Sequence, residues 1–419
     1  MKKYFWIILI ILLSACATGK TINYPVIIPE DISGVIGWQS NKPEEYEFLD
    51  YIGADWLLAT FYWRLIEPAE NEWNYEYYDK YVDISKEAGK KIIGVLGYSA
   101  PWIFNSEEEW IRYVPPDKMH HYANYARNTA ERYRGKVDAW CIWNEPNFHF
   151  WKGTRKEFGE LTRQAVNAIR EADPDVIILG GGYIRGIFGP PKAHMRSLFK
   201  SGGMEKADGI AFHPYELNPS RVLKMYKSFA KYSDKFGFGD RVWVTEIGYP
   251  TGGLSPTSVS EEKFPAYVIS TFVNLAAEGA QRILWYQLFD PVVRSERNSE
   301  HFFGLARSID DFTSKGSEAF RLCAVYLSGT THYKFPDEGL PNSLKKYYFE
   351  NPEGGGALVL WKKGIKNKIQ IKIPGGGFIH NHVTGEATAI TAETTIIVGS
   401  VPVFITWDEK SSIGLQRVR

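Results

Sequence analysis

The sequence has little cysteine and no excess of either charge. Its 419 residues include 3 Cys, and 49 Lys plus Arg balance 49 Asp plus Glu for a formal net charge of +0. A balanced charge offers no field that would hold a polyanion, so nucleic acid is not an expected partner. Cys141 and Cys323 lie in apolar segments without a pairing signature, and we expect buried thiols rather than a disulfide.

Several short motifs that carry chemistry are also missing. His120 and His121 are neighbours on a predicted helix and so point in different directions, while His380 and His382 stand apart in a β-rich region, which argues against a metal site. No serine stands in a G-x-S-x-G elbow, and the glycines at 180–182 lack the spacing of a dinucleotide-binding loop. We therefore expect no metal, no cofactor and no Ser-His-Asp acyl hydrolase.

The composition is that of a folded protein rich in aromatic side chains. Hydrophobic residues make up 44% of the chain, and its 38 Gly and 22 Pro exclude a disordered or collagen-like chain. Aromatic residues reach 15%, with 14 Trp and 25 Tyr, which is more than a core usually needs. We expect some of these side chains to line a binding surface.

The first residues have the pattern of a targeting signal. Two lysines follow Met1, an apolar run covers residues 4–13, and Leu-Ser-Ala precedes Cys16. The apolar run is too short to span a membrane, so residues 1–15 are predicted to be a signal peptide. Its end resembles the lipobox of bacterial lipoproteins, which implies lipidation of Cys16. The alternative is an ordinary secretory signal with an incidental cysteine.

This resemblance implies a protein of the bacterial cell envelope, lipid-anchored at Cys16 to a membrane outside the cytoplasm. Residues 16–32 would then form a tether, in which the apolar stretch 22–28 could add a strand to a β domain further along the chain.

Residues 33–330 alternate short β-rich runs with amphipathic helical segments, which is typical of βα units around a parallel sheet. Eight such runs predict an α/β fold, a (β/α)8 TIM barrel. A doubly wound parallel sheet is the alternative fold, but such a sheet is expected to have a Gly-rich dinucleotide-binding motif after its first strand. The predicted strands are residues 34–38, 55–62, 91–98, 138–143, 176–181, 209–212, 241–245 and 282–288.

Residues 331–419 show no helical period and are predicted to form a small β-sandwich-like domain. Short strand-like runs stand between Gly-rich turns, as in residues 357–362, 368–373, 394–399 and 401–407. The triple glycines at 354–356 and 375–377 are interpreted as hairpin turns rather than phosphate loops, because no Lys-Ser/Thr pair follows them.

Two glutamates stand where barrel enzymes carry their chemistry, at the carboxyl ends of strands. Glu145 follows the fourth predicted strand and Glu246 ends the seventh. These strands lie on roughly opposite sides of a barrel, so the two carboxyl groups can face each other across a sugar-sized gap. Glycosidic cleavage needs such a pair, one as proton donor and one as nucleophile or base. The alternative is that each glutamate merely caps the loop that follows it.

The sequence resembles the retaining glycosidases of clan A, and within that clan glycoside hydrolase family 39, including its exopolysaccharide-degrading members. Family 5 cellulases are the next nearest. The resemblance covers residues 33–330 and, loosely, the β domain. It is carried by Trp-Asn-Glu-Pro at 143–146, Thr-Glu at 245–246, Trp-Arg-Leu-Ile-Glu-Pro at 63–68, Ser-Ala-Pro-Trp at 99–102, Val-Asp-Ala-Trp at 137–140 and His-Pro-Tyr at 213–215.

The resemblance implies roles for the residues of these motifs. Glu145 would be the general acid/base and Glu246 the nucleophile, while Asn144 would hydrogen-bond the 2-hydroxyl of the bound sugar. His213 and Tyr215 would orient or polarise the carboxylates.

Three tryptophans are the expected sugar platforms, because the C–H face of a pyranose packs on an aromatic ring. Trp285 and Trp102 would serve the catalytic subsite, and Trp151 would mark an outer subsite. For each of them core packing is the alternative.

One residue departs from the family pattern. The strand-two arginine that commonly contacts the nucleophile in this clan falls at Leu58, and Arg64 is the cation that could replace it. The expected function is a surface-tethered retaining glycosidase acting on a carbohydrate. The alternative is a non-catalytic carbohydrate-binding or polysaccharide-assembly lipoprotein, and its only support is Leu58. The sequence leaves the sugar, the linkage and the oligomeric state open.

Overall fold

The computed structural model describes residues 25–36, 43–104, 111–185, 190–308, 316–335, 339–410 and 413–418. The predicted signal peptide, Cys16 and the tether up to residue 24 lie outside the described residues, and so does Trp38 at the end of the first predicted strand. Among the described residues, no helix has both the length and the apolar character needed to cross a membrane.

Eight parallel strands close into a barrel, which confirms the predicted (β/α)8 fold. A two-residue strand, β1 (Val26–Ile27), precedes the barrel and lies outside it. The barrel closes where its first and last strands pair in parallel, with Val35 opposite Trp285. The barrel strands are β2 (Ser33–Ile36), β3 (Trp56–Tyr62), β4 (Lys91–Gly97), β5 (Ala139–Asn144), β6 (Ile177–Ile184), β7 (Gly209–His213), β8 (Val242–Ile247) and β9 (Ile283–Tyr286).

Helices surround the barrel in the order expected of βα units. The helix that follows β5 begins with a capping box, in which Thr154 and Glu157 each bond the other's backbone N–H and so satisfy two free donors. The α-helices are α1 (Pro43–Ile52), α2 (Trp63–Ile66), α3 (Glu76–Glu87), α4 (Met119–Arg132), α5 (Arg155–Ala172), α6 (Lys192–Lys200), α7 (Pro219–Ser233), α8 (Phe264–Ala277) and α9 (Ser317–Leu327).

Alternation along the strands divides the core into two parts. In β3, Trp56 and Leu58 point into the barrel, whereas Leu57 and Ala59 pack outward against the helices. Cys141 lies in the same apolar interior and Cys323 lies buried in α9, so the expectation of buried free thiols is confirmed. The interior is filled by side chains and is therefore no channel, which leaves the strand ends as the place for a site.

The C-terminal residues form antiparallel sheets, as predicted. One sheet has the order β1-β10-β11-β12-β17-β14-β15 and the other β16-β13-β18, so the strand before the barrel becomes an edge of the β domain. The two sheets enclose a separate apolar core. The strands are β10 (Thr331–Tyr333), β11 (Leu344–Glu350), β12 (Gly356–Lys362), β13 (Asn367–Lys372), β14 (Gly377–His380), β15 (Ala387–Ile390), β16 (Glu393–Val398), β17 (Val403–Trp407) and β18 (Gly414–Arg417).

The β domain packs on the last two barrel helices. Tyr347 of β11 donates a hydrogen bond of 2.5 Å to Asn274 Oδ1 in α8. A Cβ on Gly385 would lie 2.4 Å from a carboxylate oxygen of buried Glu318 in α9, so the turn after β14 comes into close contact with that helix. These contacts make the barrel and the β domain share one continuous surface.

Candidate active site

The carboxyl ends of three barrel strands bring together the residues that the sequence singled out. Glu145 directly follows β5, His213 ends β7 and Glu246 lies near the end of β8. Because all barrel strands run in parallel, these ends open at the same mouth. Glu145 and His213 are buried, and Glu246 is largely so.

The two carboxyl groups meet at His213. Its Nδ1 lies 2.9 Å from Glu145 Oε1 and 3.5 Å from Glu246 Oε2. One oxygen of each carboxylate and one ring nitrogen of His213 all lie within 4.8 Å of one another. In retaining glycosidases the two carboxyl groups are about 5–5.5 Å apart, whereas inverting enzymes leave about 6.5–9.5 Å for a water. Oxygens of Glu145 and Glu246 that lie within 4.8 Å of each other leave less room than the inverting arrangement needs.

Two hydroxyl groups, those of Tyr215 and Thr245, form hydrogen bonds with this cluster. Tyr215 donates a hydrogen bond of 3.0 Å to Glu246 Oε2. The second nitrogen of the imidazole, His213 Nε2, lies 3.0 Å from the hydroxyl of Thr245. Burial lowers the pKa of His213, which favours the neutral ring. The ring of His213 therefore bridges Glu145 and Thr245 by hydrogen bonds.

Both glutamates have raised pKa values. Burial raises the pKa of Glu145 to about 8, and the charge of Glu300 raises it further while His149 lowers it. Burial also raises the pKa of Glu246, to about 7, since His213 and the Tyr215 hydroxyl favour the ionised form and offset part of the effect. Burial therefore makes both carboxyl groups keep a proton to higher pH than an exposed glutamate does.

The backbone around Glu145 adopts a conformation that few residues tolerate. Trp143 has φ 67° and Glu145 has φ 43°, both in the left-handed region. The strain is held by neighbouring bonds: Glu145 N–H donates to Gly182 O at 2.7 Å, and the buried indole of Trp143 donates to Phe150 O at 2.6 Å. The fold thus holds the carboxyl group of Glu145 in a fixed place at the mouth.

Gly182 in β6 makes room for the imidazole. A Cβ at this position would lie 2.9 Å from His213 Nε2 and 3.4 Å from Asn144 Oδ1. Only a residue without a side chain lets β6 pass this close to the ring. From the sequence, the glycines at 180–182 were compared only with the spacing of a dinucleotide-binding loop, whereas they lie within strand β6, and their role in packing was missed.

Solved structures with the same arrangement of strands are glycoside hydrolases. A family 39 glycoside hydrolase from the gut symbiont Bacteroides cellulosilyticus WH2 aligns with a TM-score of 0.73 and 18% sequence identity, over 91% of this chain and 81% of that chain. The chain has the fold of the clan A glycoside hydrolases. This confirms the resemblance to the clan, including family 39.

Two further clan A structures cover nearly the whole chain. A GH30 endoxylanase from Clostridium papyrosolvens C71 has a TM-score of 0.62 and 10% identity over 95% of this chain and 98% of that chain. A family 51 α-L-arabinofuranosidase from Bifidobacterium longum has a TM-score of 0.61 and 10% identity over 91% of this chain and 96% of that chain. No protein-family model and no curated protein sequence matches the chain.

The clan A mouth contains two residues that sequence reasoning missed. Tyr286, the last residue of β9, packs edge-on to Tyr215 with ring centroids 6.5 Å apart and donates a hydrogen bond of 3.0 Å to Glu300 Oε2. Glu300 is exposed on the 3-10 turn Ser299–Phe302. A third carboxyl group thus stands beside the catalytic pair. Its turn carries no motif, and no pattern in the sequence could have found it.

Two of the predicted sugar platforms are wrong. Trp285 is 0% exposed and packs on Tyr249 and Phe264, because alternation along β9 turns it toward the helices and turns Tyr286 toward the mouth. Trp151 is 5% exposed, and its indole N–H donates to Thr154 O at 3.1 Å. Neither ring offers a free face for a sugar.

Asn144 and Trp102 keep positions from which they could contact a sugar. Asn144 is half-buried at the end of β5, next to Glu145. Its side chain forms a hydrogen bond with the buried hydroxyl of Tyr98. Trp102 is half-buried in the 3-10 turn Pro101–Phe104, where its indole N–H donates to Glu67 O at 2.9 Å. Their contacts with a sugar stay predictions.

Leu58 does not occupy a vacant arginine site at the mouth. It is 6% exposed in the apolar barrel interior, four residues before β3 ends. An arginine there would bury an unpaired cation. The Arg64 guanidinium lies 5.6 Å from the ring centroid of Tyr62, and it is not among the groups that principally shift the pKa of Glu246. His213 and Tyr215 act on the nucleophile instead.

The cluster of Glu145, His213 and Glu246 is also close enough to hold a metal ion. Hydrogen bonds already account for its geometry, since His213 Nδ1 lies 2.9 Å from Glu145 and Tyr215 donates to Glu246. The arrangement needs no ion to explain it, and the expectation of no metal stays a prediction.

Proposed function

We propose that the protein is a retaining glycoside hydrolase that cleaves β-linked O-glycosidic bonds in a poly- or oligosaccharide. The observation that carries this proposal is the pair formed by Glu145 and Glu246, with oxygens within 4.8 Å of each other and with pKa values raised to about 8 and about 7. A general acid and a nucleophile of this kind are what the two-step retaining reaction requires.

In the first step ionised Glu246 attacks the anomeric carbon while protonated Glu145 gives its proton to the leaving glycosidic oxygen. The C–O bond to the leaving group breaks, and a covalent glycosyl ester forms on Glu246. In the second step Glu145, now ionised, takes a proton from water, and the hydroxide attacks the anomeric carbon from the face that the leaving group left. Glu246 is released as a carboxylate, and Glu145 is protonated again.

The neighbours of the pair support these assignments. Tyr215 holds Glu246 Oε2 at 3.0 Å and so favours the ionised nucleophile. His213 lies against Glu145 Oε1 at 2.9 Å and fixes the direction of that carboxyl group. The alternative of a non-catalytic binding protein rests on the missing arginine alone, whereas both carboxyl groups and their hydrogen-bond partners are present.

Azide rescue tests the roles of the two carboxyl groups. With an aryl β-glycoside, Glu246→Ala should abolish turnover, and azide should enter directly and give the inverted glycosyl azide. Glu145→Ala should still release a good leaving group but then accumulate the intermediate, and azide should rescue it with retention. Retention with the Glu246 variant and inversion with the Glu145 variant would exchange the two roles. Full activity of both variants on a confirmed substrate would refute the proposal.

A polysaccharide panel is run beside the aryl glycosides, because subsites determine which sugar is accepted. Product analysis on plant and bacterial polysaccharides identifies the sugar, the linkage and the cleavage mode together.

We further propose that the enzyme is tethered to a membrane of the bacterial cell envelope through a lipid on Cys16. The proposal rests on the lipobox-like sequence that ends at this residue. Cys16→Ser should move the protein from the membrane fraction to the soluble fraction, or leave it unprocessed, with unchanged activity on aryl glycosides. Recovery of the unaltered protein wholly in the soluble fraction would contradict the anchor.

A further inference from the structure

A second cleft lies beside the mouth, where the barrel meets the β domain. It encloses about 510 Å³ and is lined by the first residues of α7, one face of α8, Trp361 of β12 and the turn at residues 400–401. The loop that carries Tyr215 leads directly to Asn218 at the rim of this cleft. The rim of the cleft at Asn218 therefore lies toward the active-site end of the barrel, and the cleft extends from there along α8 to Asn274.

Three nearly buried polar groups in the cleft have no hydrogen-bond partner among the described residues. Ser270, Asn274 and Trp361 are 8%, 4% and 8% exposed. Asn274 Oδ1 accepts from Tyr347, but no bond is found to its Nδ2, to the hydroxyl of Ser270 or to the indole N–H of Trp361. None of these atoms is sealed within the core, so each opens to the cleft.

These groups are accessible from the cleft, where water or the hydroxyl groups of a ligand can pair with them. Ser270 and Asn274 stand four residues apart on α8 and therefore point the same way. A ligand with several hydroxyl groups would satisfy them together.

The remaining walls of the cleft suit a sugar. The indole of Trp361 lines the cleft and stacks on Tyr347 with centroids 4.9 Å apart, which holds the ring in place. Tyr267 adds a half-buried aromatic ring. The charges at the rim are mixed, with Glu262 beside Lys263 and Lys363, and favour no strongly charged ligand. Aromatic surface combined with a few fixed donors is how proteins bind uncharged sugars.

The geometry points to a second glycan-binding site in this cleft, which holds a neutral segment of the polysaccharide whose bond is cleaved at Glu145 and Glu246. The inference rests on the proposed function for the class of ligand. The site would hold a long substrate close to the mouth and would have no effect on a small one.

Two variants remove the site without touching the catalytic cluster. Ser270→Ala deletes one unpartnered hydroxyl in a helix, and Ser400→Trp fills the cleft from its exposed rim. Thr388→Trp is the matched control, because Thr388 is exposed on edge strand β15, outside the cleft. Equal melting temperatures establish that the variants fold.

Kinetics give the first readout. On the polysaccharide that the enzyme hydrolyses, both cleft variants should raise KM about two- to tenfold, the value of one lost hydrogen bond. Their kcat/KM on an aryl glycoside should not change, and the control should match the unaltered enzyme on both substrates. An unchanged polysaccharide KM in both cleft variants overturns the inference.

A binding assay separates this inference from the proposed function. Glu246→Gln protein is run in native gels that contain xylan, β-glucan or galactomannan. At least one polysaccharide should retard it, and Ser270→Ala or Ser400→Trp should weaken the retardation at least twofold, even if no substrate is ever hydrolysed. Retardation by none of the three, or equal retardation of the cleft variants and the control, overturns the inference.

Discussion

Removal of one hydroxyl group tests how the nucleophile is kept ionised. Tyr215→Phe deletes the hydrogen bond of 3.0 Å to Glu246 Oε2 and keeps the ring, which packs against Tyr286 and Phe303. A hydrogen bond to a charged group contributes about 1.5–3 kcal/mol, so kcat/KM on an aryl glycoside should fall about 10- to 150-fold.

The pH profile should change in a defined direction. The hydrogen bond from Tyr215 lowers the pKa of Glu246, so its loss raises that pKa. A smaller fraction of Glu246 is then ionised at a given acidic pH, and the acidic limb of kcat/KM moves to higher pH. The basic limb, which reports the proton on Glu145, should stay nearly in place.

Tyr286→Phe is the matched control, because its hydroxyl donates to Glu300 and not to the nucleophile. The control should leave the acidic limb where it is. A Tyr215→Phe enzyme with an unmoved acidic limb would refute the reasoning, even if its rate were lower, because misfolding lowers the rate without moving the limb.

Two further predictions concern the surroundings of the pair. Gly182→Ala should displace His213, since a Cβ would lie 2.9 Å from Nε2, and should lower kcat at least tenfold at nearly unchanged melting temperature. Gly414→Ala, where a Cβ would meet nothing closer than 3.5 Å, is the control for the kinetics, and equal kcat in the two variants would contradict the packing argument. Glu300→Gln removes a negative charge that raises the pKa of Glu145, so the basic limb of kcat/KM should move to lower pH, whereas Glu296→Gln in the same exposed loop should not move it. A basic limb that stays in place in the Glu300 variant at low salt would remove Glu300 from the electrostatics of the site.

The sequence predicted the barrel well because each of its strands is a short apolar run with a clear end. The carboxyl ends of β5 and β8 could therefore be located, and with them Glu145 and Glu246. The prediction was less accurate where it depended on which face of a strand a side chain occupies. Trp285 and Tyr286 are neighbours at the end of β9 and therefore lie on opposite faces of the sheet, with Trp285 buried. Nothing in the sequence shows which of the two faces the mouth.

Contacts between distant segments could not be predicted either. Glu300 reaches the mouth only because its turn folds back on Tyr286, and Trp151 is buried because Trp143 and Phe158 cover it. In the β domain, β11 escaped prediction, since Lys345 and Lys346 interrupt its apolar pattern.

The pairing of β1 with β10 also determines at which end of the barrel the chain enters. Ile28 N–H donates to Thr330 O and Gly329 N–H to Pro29 O, so the chain enters the barrel beside the end of α9, where the barrel strands begin. The mouth lies at the opposite end. With an anchor at Cys16, the ten residues up to Val26 reach at most about 35 Å. The proposed lipid on Cys16 would therefore attach to the barrel at the end opposite to the mouth, and the active site would stay accessible to long polymers.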